Sequence, residues 1–196
     1  GSYQVRLMVG DLEYTRPLFV RMDPALAVDE TTRAALDRTL ALQADLVGAA
    51  AVVGPAVDTV AAQAEVVLEA LPGHANVPPQ VAARAQAVLA EAQRIRVVLS
   101  GPGGGGTAQQ ETVLPLGALV GRLYSTTEAW TGSPTEDQRR LTRQAHGDMA
   151  KLIADLQALI DNELPGLREA LAEAGIPWPA GEIPTLPDHL LPPLES

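Results

Sequence analysis

The sequence predicts a mainly α protein: an antiparallel four-helix bundle with two long kinked helices, preceded by a β-hairpin that looks like the end of a truncated β-sandwich. Three observations lead there. Residues 3–21 alternate with a period of two around a Gly-containing turn, whereas apolar residues from Asp29 to Leu171 recur at helical spacing. Aromatic residues are only 3% of the 196, against 46% apolar, so Ala, Val and Leu must fill the core. Small side chains let helices approach closely, and Ala has the highest helix propensity.

In the first segment Tyr3, Val5, Leu7 and Val9 point one way and Gln4, Arg6 and Met8 the other. Gly10-Asp11 marks a turn. Tyr14, Arg16, Leu18 and Val20 then alternate with Thr15, Phe19 and Arg21, and Met22-Asp23-Pro24 closes the hairpin. Pro17 has no N–H to give a ladder, so it belongs at an edge or a bulge. A lone hairpin is marginally stable in water, so its apolar face needs a cover. That cover is either the helices that follow or the earlier strands of a β-sandwich. Residues 1–24 therefore form one unit, 25–175 the helical bundle and 176–196 a Pro-rich tail.

Asp29 is placed to cap the first helix, with Glu30 adding negative charge to its first turn. Leu36, Leu40, Val47, Val57, Ala61, Ala64 and Leu68 mark its stripe as far as Leu71. Gly54-Pro55 interrupts the run, but no polar loop separates the halves. One helix kinked near Pro55 is expected. Pro72-Gly73 ends it.

Pro78-Pro79 opens a second helix with Val81, Ala85, Val88, Ala92, Ile95 and Leu99 on one face, ending at Ser100-Gly101-Pro102. Gly103–Gly106 reads as a flexible connector. Leu116, Leu119, Val120, Leu123, Tyr124 and Thr127 form a third stripe that finishes near Trp130. Ser133 is expected to cap the fourth helix, with Pro134 at its first position. That helix carries Leu141, Ala145, Met149, Leu152, Leu156, Leu159, Leu164, Leu167 and Leu171, with a kink at Pro165 and a stop at Gly175. The tail is extended, and Leu186, Leu190, Leu191 and Leu194 are its docking residues. The two long helices would each span about 60 Å, and short connections give an up-down-up-down order.

A net charge of -10, from 24 acidic and 14 basic residues, disfavours nucleic acid and anionic membranes, which need clustered Lys and Arg. Without cysteine there is no disulfide, thiolate metal site or Cys nucleophile. No stretch of about 18 uninterrupted apolar residues occurs, so membrane insertion is not expected. The glycines at 101–106 are followed by Thr107-Ala108-Gln109 rather than by Lys, so they make no phosphate loop. His74, His146 and His189 have no paired spacing for a metal. Asp148 with Asp155, and Glu65 with Glu69, read as the solvated face of amphipathic helices. No catalytic, cofactor or metal residue is assigned.

Trp130-Thr131-Gly132 resembles the turn of small secreted helical hairpins of the WxG type. However, Tyr124 and Glu128 precede the turn, the wrong side for the export signal of those proteins. A local Trp packed over the turn is the better account.

Three stretches resemble the C-terminal region of large bacterial BNR/Asp-box proteins with sortilin-like or sialidase-like propellers. Tyr3–Leu7 through Pro17–Pro24 are like closing sandwich strands with a "V-x-x-D-P" exit. Leu119–Ser125 with Ser133–Gln138 are like an "LxxLYS … PTxxQ" segment. Leu164–Arg168 with Leu171 and Ala174–Pro177 are like a closing "LPxLNxxLxxxGLP" helix. The sequence departs from the pattern at Arg168, where Asn is usual, and at Gly54-Pro55. The resemblance implies a non-enzymatic accessory or interaction domain of an exported protein, periplasmic or secreted. Its partner would be the parent propeller and sandwich or another protein. A stand-alone secreted helical partner-binding protein and an enzyme with an inter-helix site are the alternatives.

Overall fold

In the computed structural model, which describes residues 1–21, 28–74, 76–102 and 114–191, two strands precede five α-helices. Strand β1 (Ser2–Val9) pairs antiparallel with β2 (Leu12–Phe19), with Val9 opposite Leu12 across a two-residue turn. Gly10 takes φ +57 at the first turn position, where glycine meets no Cβ penalty. The amino group of Gly1 and the N–H of Val20 bond each other's carbonyls, at 2.6 and 2.9 Å. Counting inward from that hydrogen-bonded pair makes Gln4↔Pro17 a non-bonded pair, so the missing N–H of Pro17 falls on the outer edge of β2. Proline blunts that edge, while the outer edge of β1 keeps its donors.

The hairpin does not pack on the helices. All residues from 1 to 21 are exposed, among them Leu7 at 58% and Phe19 at 67%. The helices thus leave the apolar face of the hairpin uncovered, and the first of the two expected covers is not observed. Residues 22–24, expected to close the hairpin, lie outside the described residues.

Helix α1 (Glu30–Ala70) runs through Pro55 as one element, as the lack of a polar loop between its halves predicts. The Asp29 carboxylate accepts from Thr32 N at 2.8 Å and from Thr32 Oγ1 at 2.9 Å. These bonds hold its pKa below the usual carboxylate value. A group whose folded pKa is depressed stabilises above its unfolded pKa and loses that contribution as pH falls through the folded one. The first turn of α1 is therefore expected to fray in acid, below about pH 4. Amide exchange at Thr32 would report it, and in Asp29→Asn, which still caps but does not titrate, the same change should vanish.

Helix α2 (Pro79–Ser100) lies antiparallel to α1. Gly54 of α1 faces the Leu99 side chain, while Val67 and Leu71 share a cluster with Val81 and Ala85. Helix α3 (Leu116–Glu128) starts where α2 stops: a Cβ on Gly117 would stand 3.0 Å from the Leu99 carbonyl oxygen. It returns through a short turn into α4 (Glu136–Ala158). A π-turn over Leu159–Glu163, with Leu164 N bonding Leu159 O, then leads to α5 (Leu164–Glu173). The wider turn absorbs the ring of Pro165 and accounts for the break expected there. Pairing of Gln43 with Thr142, and of Val67 with Leu167 and Leu171, makes the α4–α5 rod parallel to α1.

The helices thus occupy three columns, α1, α2 followed by α3, and α4 followed by α5, running up, down and up. The short helices are antiparallel to the long ones, as expected, but stack end to end instead of standing side by side. An up-down-up-down order is corrected on this point. The reason is length: α2 and α3, of 22 and 13 residues, together nearly match the 41 of α1.

Two local details also differ. The cap of α4 is Thr135, not Ser133: its hydroxyl accepts from Gln138 N at 3.1 Å while Gln138 Oε1 accepts from Thr135 N at 2.8 Å. That reciprocal pair satisfies two otherwise orphan donors, which Ser133 ahead of Pro134 does not match. On α1, Val47 is 38% exposed, and Leu46, Ala49, Val53 and Val60 take the core side. With Ala and Val on every side of this helix, the sequence offers little contrast to fix its rotation.

At the other end Gly175, φ +71, closes α5. Its N–H bonds Ala172 O and that of Ile176 bonds Leu171 O, the double bond of a Schellman stop with an Ile176–Leu171 apolar contact. The chain then turns back along the bundle. Leu186, Leu190 and Leu191 pack against the core, joined by Trp178 and Ile183. Leu194 and Gly103–Gly106 lie outside the described residues.

Candidate functional site

Among the described residues the buried polar side chains are Gln63, beneath the tail, and a layer of Gln43, Thr127, Thr142 and His146 near the α3–α4 end. Gln43 is fully buried and gives Nε2 to Thr142 Oγ1 at 2.8 Å, which in turn donates to Gln138 O at 2.7 Å. His146 lies one turn further along α4 and is 5% exposed, on the core side of the helix. The Gln43 Oε1 and Thr127 Oγ1 atoms are buried without a hydrogen-bond partner. A buried acceptor without a partner is costly, so this layer positions α1 against α4 more than it stabilises either. Gln43→Ala is expected to destabilise by about 1–3 kcal/mol, and the apolar pair Gln43→Leu/Thr142→Val to be near neutral. Urea melts of the three proteins check this. An equal loss in the single and double variants would show that polarity at this level is itself required.

A groove of about 510 Å3 lies where α2 ends, α3 begins and α4 passes. Its floor is Val97, Val98, Leu114, Leu119 and Leu152, and its rim Arg94, Gln144, Asp148, Lys151 and Asp155. Asp148 and Asp155, one heptad apart on α4, both reach this rim with Lys151, the sole lysine, between them. Arg94 bonds Glu91 and Asp155, and those two carboxylates raise its pKa further above the usual guanidinium value. The rim's two cations and two anions cancel. A neutral rim over an apolar floor suits an apolar side chain better than an ion.

The remaining residues flagged in the sequence stay apart. His74 and His189 are exposed, as are Glu65 and Glu69 on the outer side of α1. Among the described residues no group of three or more His, Asp or Glu stands where it would hold a metal ion. Gly101, at φ +85, ends α2 against Pro115. Trp130 lies over the α3–α4 turn. A Cβ on Gly132 would meet its Nε1 at 2.6 Å, so glycine is required for the ring to cover the turn, yet the indole stays 57% exposed.

Helix α1 contains an 18-residue window of mean hydropathy 1.6, long and apolar enough to cross a membrane. Counting only uninterrupted apolar runs overlooks it, because scattered polar residues barely lower the average. Only 28% of that window is buried in the bundle. The leucines of the tail announced its docking, but the course of residues 176–191 along α1 was not read from the sequence. The alternation of Pro with Ile, Leu and Trp in the tail was the available signal. No family model matches the chain, and no curated protein or solved structure matches it.

Proposed function

We propose that the chain is a non-catalytic C-terminal accessory and interaction domain of a larger exported propeller-type protein, seated through its hairpin on the parent's β-sandwich or on a protein partner. One observation carries the reading. Tyr3, Val5, Leu7, Val9, Leu12, Tyr14 and Leu18 share one face of a two-stranded sheet, interrupted by Arg16 opposite Val5, and among the described residues no helix covers it. A bare amphipathic hairpin is marginal in water, and an apolar sheet face is a docking element. The open edge of β1 offers backbone donors and acceptors for a further strand, while Pro17 blocks the edge of β2. The negative charge supports a protein partner over nucleic acid. The resemblance of the hairpin and the closing helix to BNR/Asp-box proteins supports the exported, periplasmic or secreted setting.

The test compares the intact chain with one lacking residues 1–24, in gel filtration and pull-down against the parent's propeller and sandwich. The shortened chain is expected to melt within about 1 °C of the intact one, since nothing in the bundle rests on the hairpin, but to lose association. If neither form binds, and the propeller works unchanged without the bundle, the reading fails. The second reading, a free-standing secreted helical partner-binding protein, is favoured by the exposed Trp130 over its glycine turn. An open reading frame continuing upstream of Gly1 would eliminate it.

A further inference from the structure

After the Gly175 stop, residues 176–191 run back along α1 in the opposite direction. Pro179–Glu182 face Thr59, Ala62, Gln63 and Val66, and Pro187–Leu190 face Ala44, Gly48, Ala49 and Val52. Pro177, Pro179 and Pro184 preset an extended backbone, and Pro187 opens a turn closed by Leu190 N–H to Pro187 O at 3.2 Å, so seating the strap costs little conformational entropy. It lies on the bundle through Trp178, Ile183, Leu186, Leu190 and Leu191, each only partly buried. Its polar tie is one side chain: Gln63 Nε2 donates to Glu182 O at 2.6 Å and to Gly181 O at 3.3 Å. The indole of Trp178 bonds Gly181 O, within the strap itself.

The fit is incomplete in two respects. Clefts of about 540 and 480 Å3, open to solvent, flank the strap where it meets α1 near its two ends. Gln63 is 5% exposed, and its Oε1 has no partner because the strap offers this amide only carbonyls. A peptide placing an N–H beside Gln63 as well as a C=O would satisfy both ends of the amide, with a free-energy advantage over the resident segment.

We propose that the α1 face beneath residues 176–191 is a groove for an extended, proline-containing segment of another protein with Ile and Leu at the strap's spacing, and that the strap is the intramolecular occupant it displaces. The occupant's chemistry is read from the segment seated there: an extended backbone that ends in a turn, apolar anchors three to five residues apart from Trp178 to Leu190, and a non-proline residue opposite Gln63. The groove would work in the same way in an appendage or in a free-standing chain.

The test uses the full chain carrying Leu186→Asp and Leu190→Asp, which loosens the strap and leaves α1 untouched. The probe is a fluorescent synthetic peptide of residues 176–191, followed by anisotropy. The peptide is expected to bind this variant at least ten-fold tighter than the unaltered chain, and a peptide with the same two aspartates should not compete. A variant with native helicity that takes up no peptide, or equal binding to both chains, would overturn the proposal. Should the variant lose its helicity, hydrogen exchange in the unaltered chain decides. The Trp178 indole N–H and the amides of Gly181–Ile183 should exchange at least a hundred-fold faster than those of Val57 and Val60. Equal protection would mean that the strap opens only with the whole bundle, which also ends the idea.

Discussion

Leu156→Ala is expected to lower stability by about 2–5 kcal/mol and the melting temperature by roughly 4–20 °C. Leu156 is fully buried on α4, in the cluster that joins all three columns. Removing its branched end leaves a void, and the cost of the void adds to the lost burial. The neighbours include Val and Ala on α1 and α2, whose short side chains cannot swing in to fill it. Leu156→Met keeps the volume and should cost less than about 1.5 kcal/mol. Thermal melts by circular dichroism compare the two. A loss of under 1 kcal/mol in the alanine variant would mean that the columns can close on the gap, contrary to the rigid seam described above.

The opposite change, Ala92→Leu, tests the same seam from the other side. Ala92 is fully buried on α2, in the cluster formed with Val53, Val57 and Val60 of α1. Leucine adds three carbons where there is no room, and overpacking costs typically about 1–3 kcal/mol, occasionally more. Intrinsic propensity cannot be blamed, since Leu stands just behind Ala as a helix former. The control is Ala154→Leu on the exposed side of α4, expected within about 0.5 kcal/mol of the unaltered chain. Equal effects at the two positions would show that alanine at the seam reflects composition and not close approach.

How much of this was legible depends on the contrast each helix offers. On α2 the stripe Val81, Ala85, Val88, Ala92, Ile95 and Leu99 is the buried set. On α4 and α5 the leucines stand out against charged neighbours, and eight of the nine stripe residues, all but Leu141, are in the core. On α1 the stripe was readable only in part: Val57, Ala61 and Ala64 are buried as expected, but Val47 and Val66 on the outside look like Val53 and Val60 on the inside. The groove rim was illegible for another reason. Arg94 and Asp155 lie 61 positions apart and meet only because α2 and α4 run antiparallel at that level. The strap was half legible: its leucines pointed to docking, but the site on α1 did not follow from them.

The sequence by itself determined the period-two hairpin, the Asp29 cap, the Pro-marked helix ends and the Gly175 stop. Each of these depends on residues within a few positions of one another, where backbone sterics and local hydrogen bonds decide. Tertiary structure alone decided that α2 and α3 share a column, that the hairpin is left bare and that the tail returns along α1. Those outcomes rest on the matching of lengths and surfaces between segments far apart in the chain, and no local pattern encodes which surface meets which.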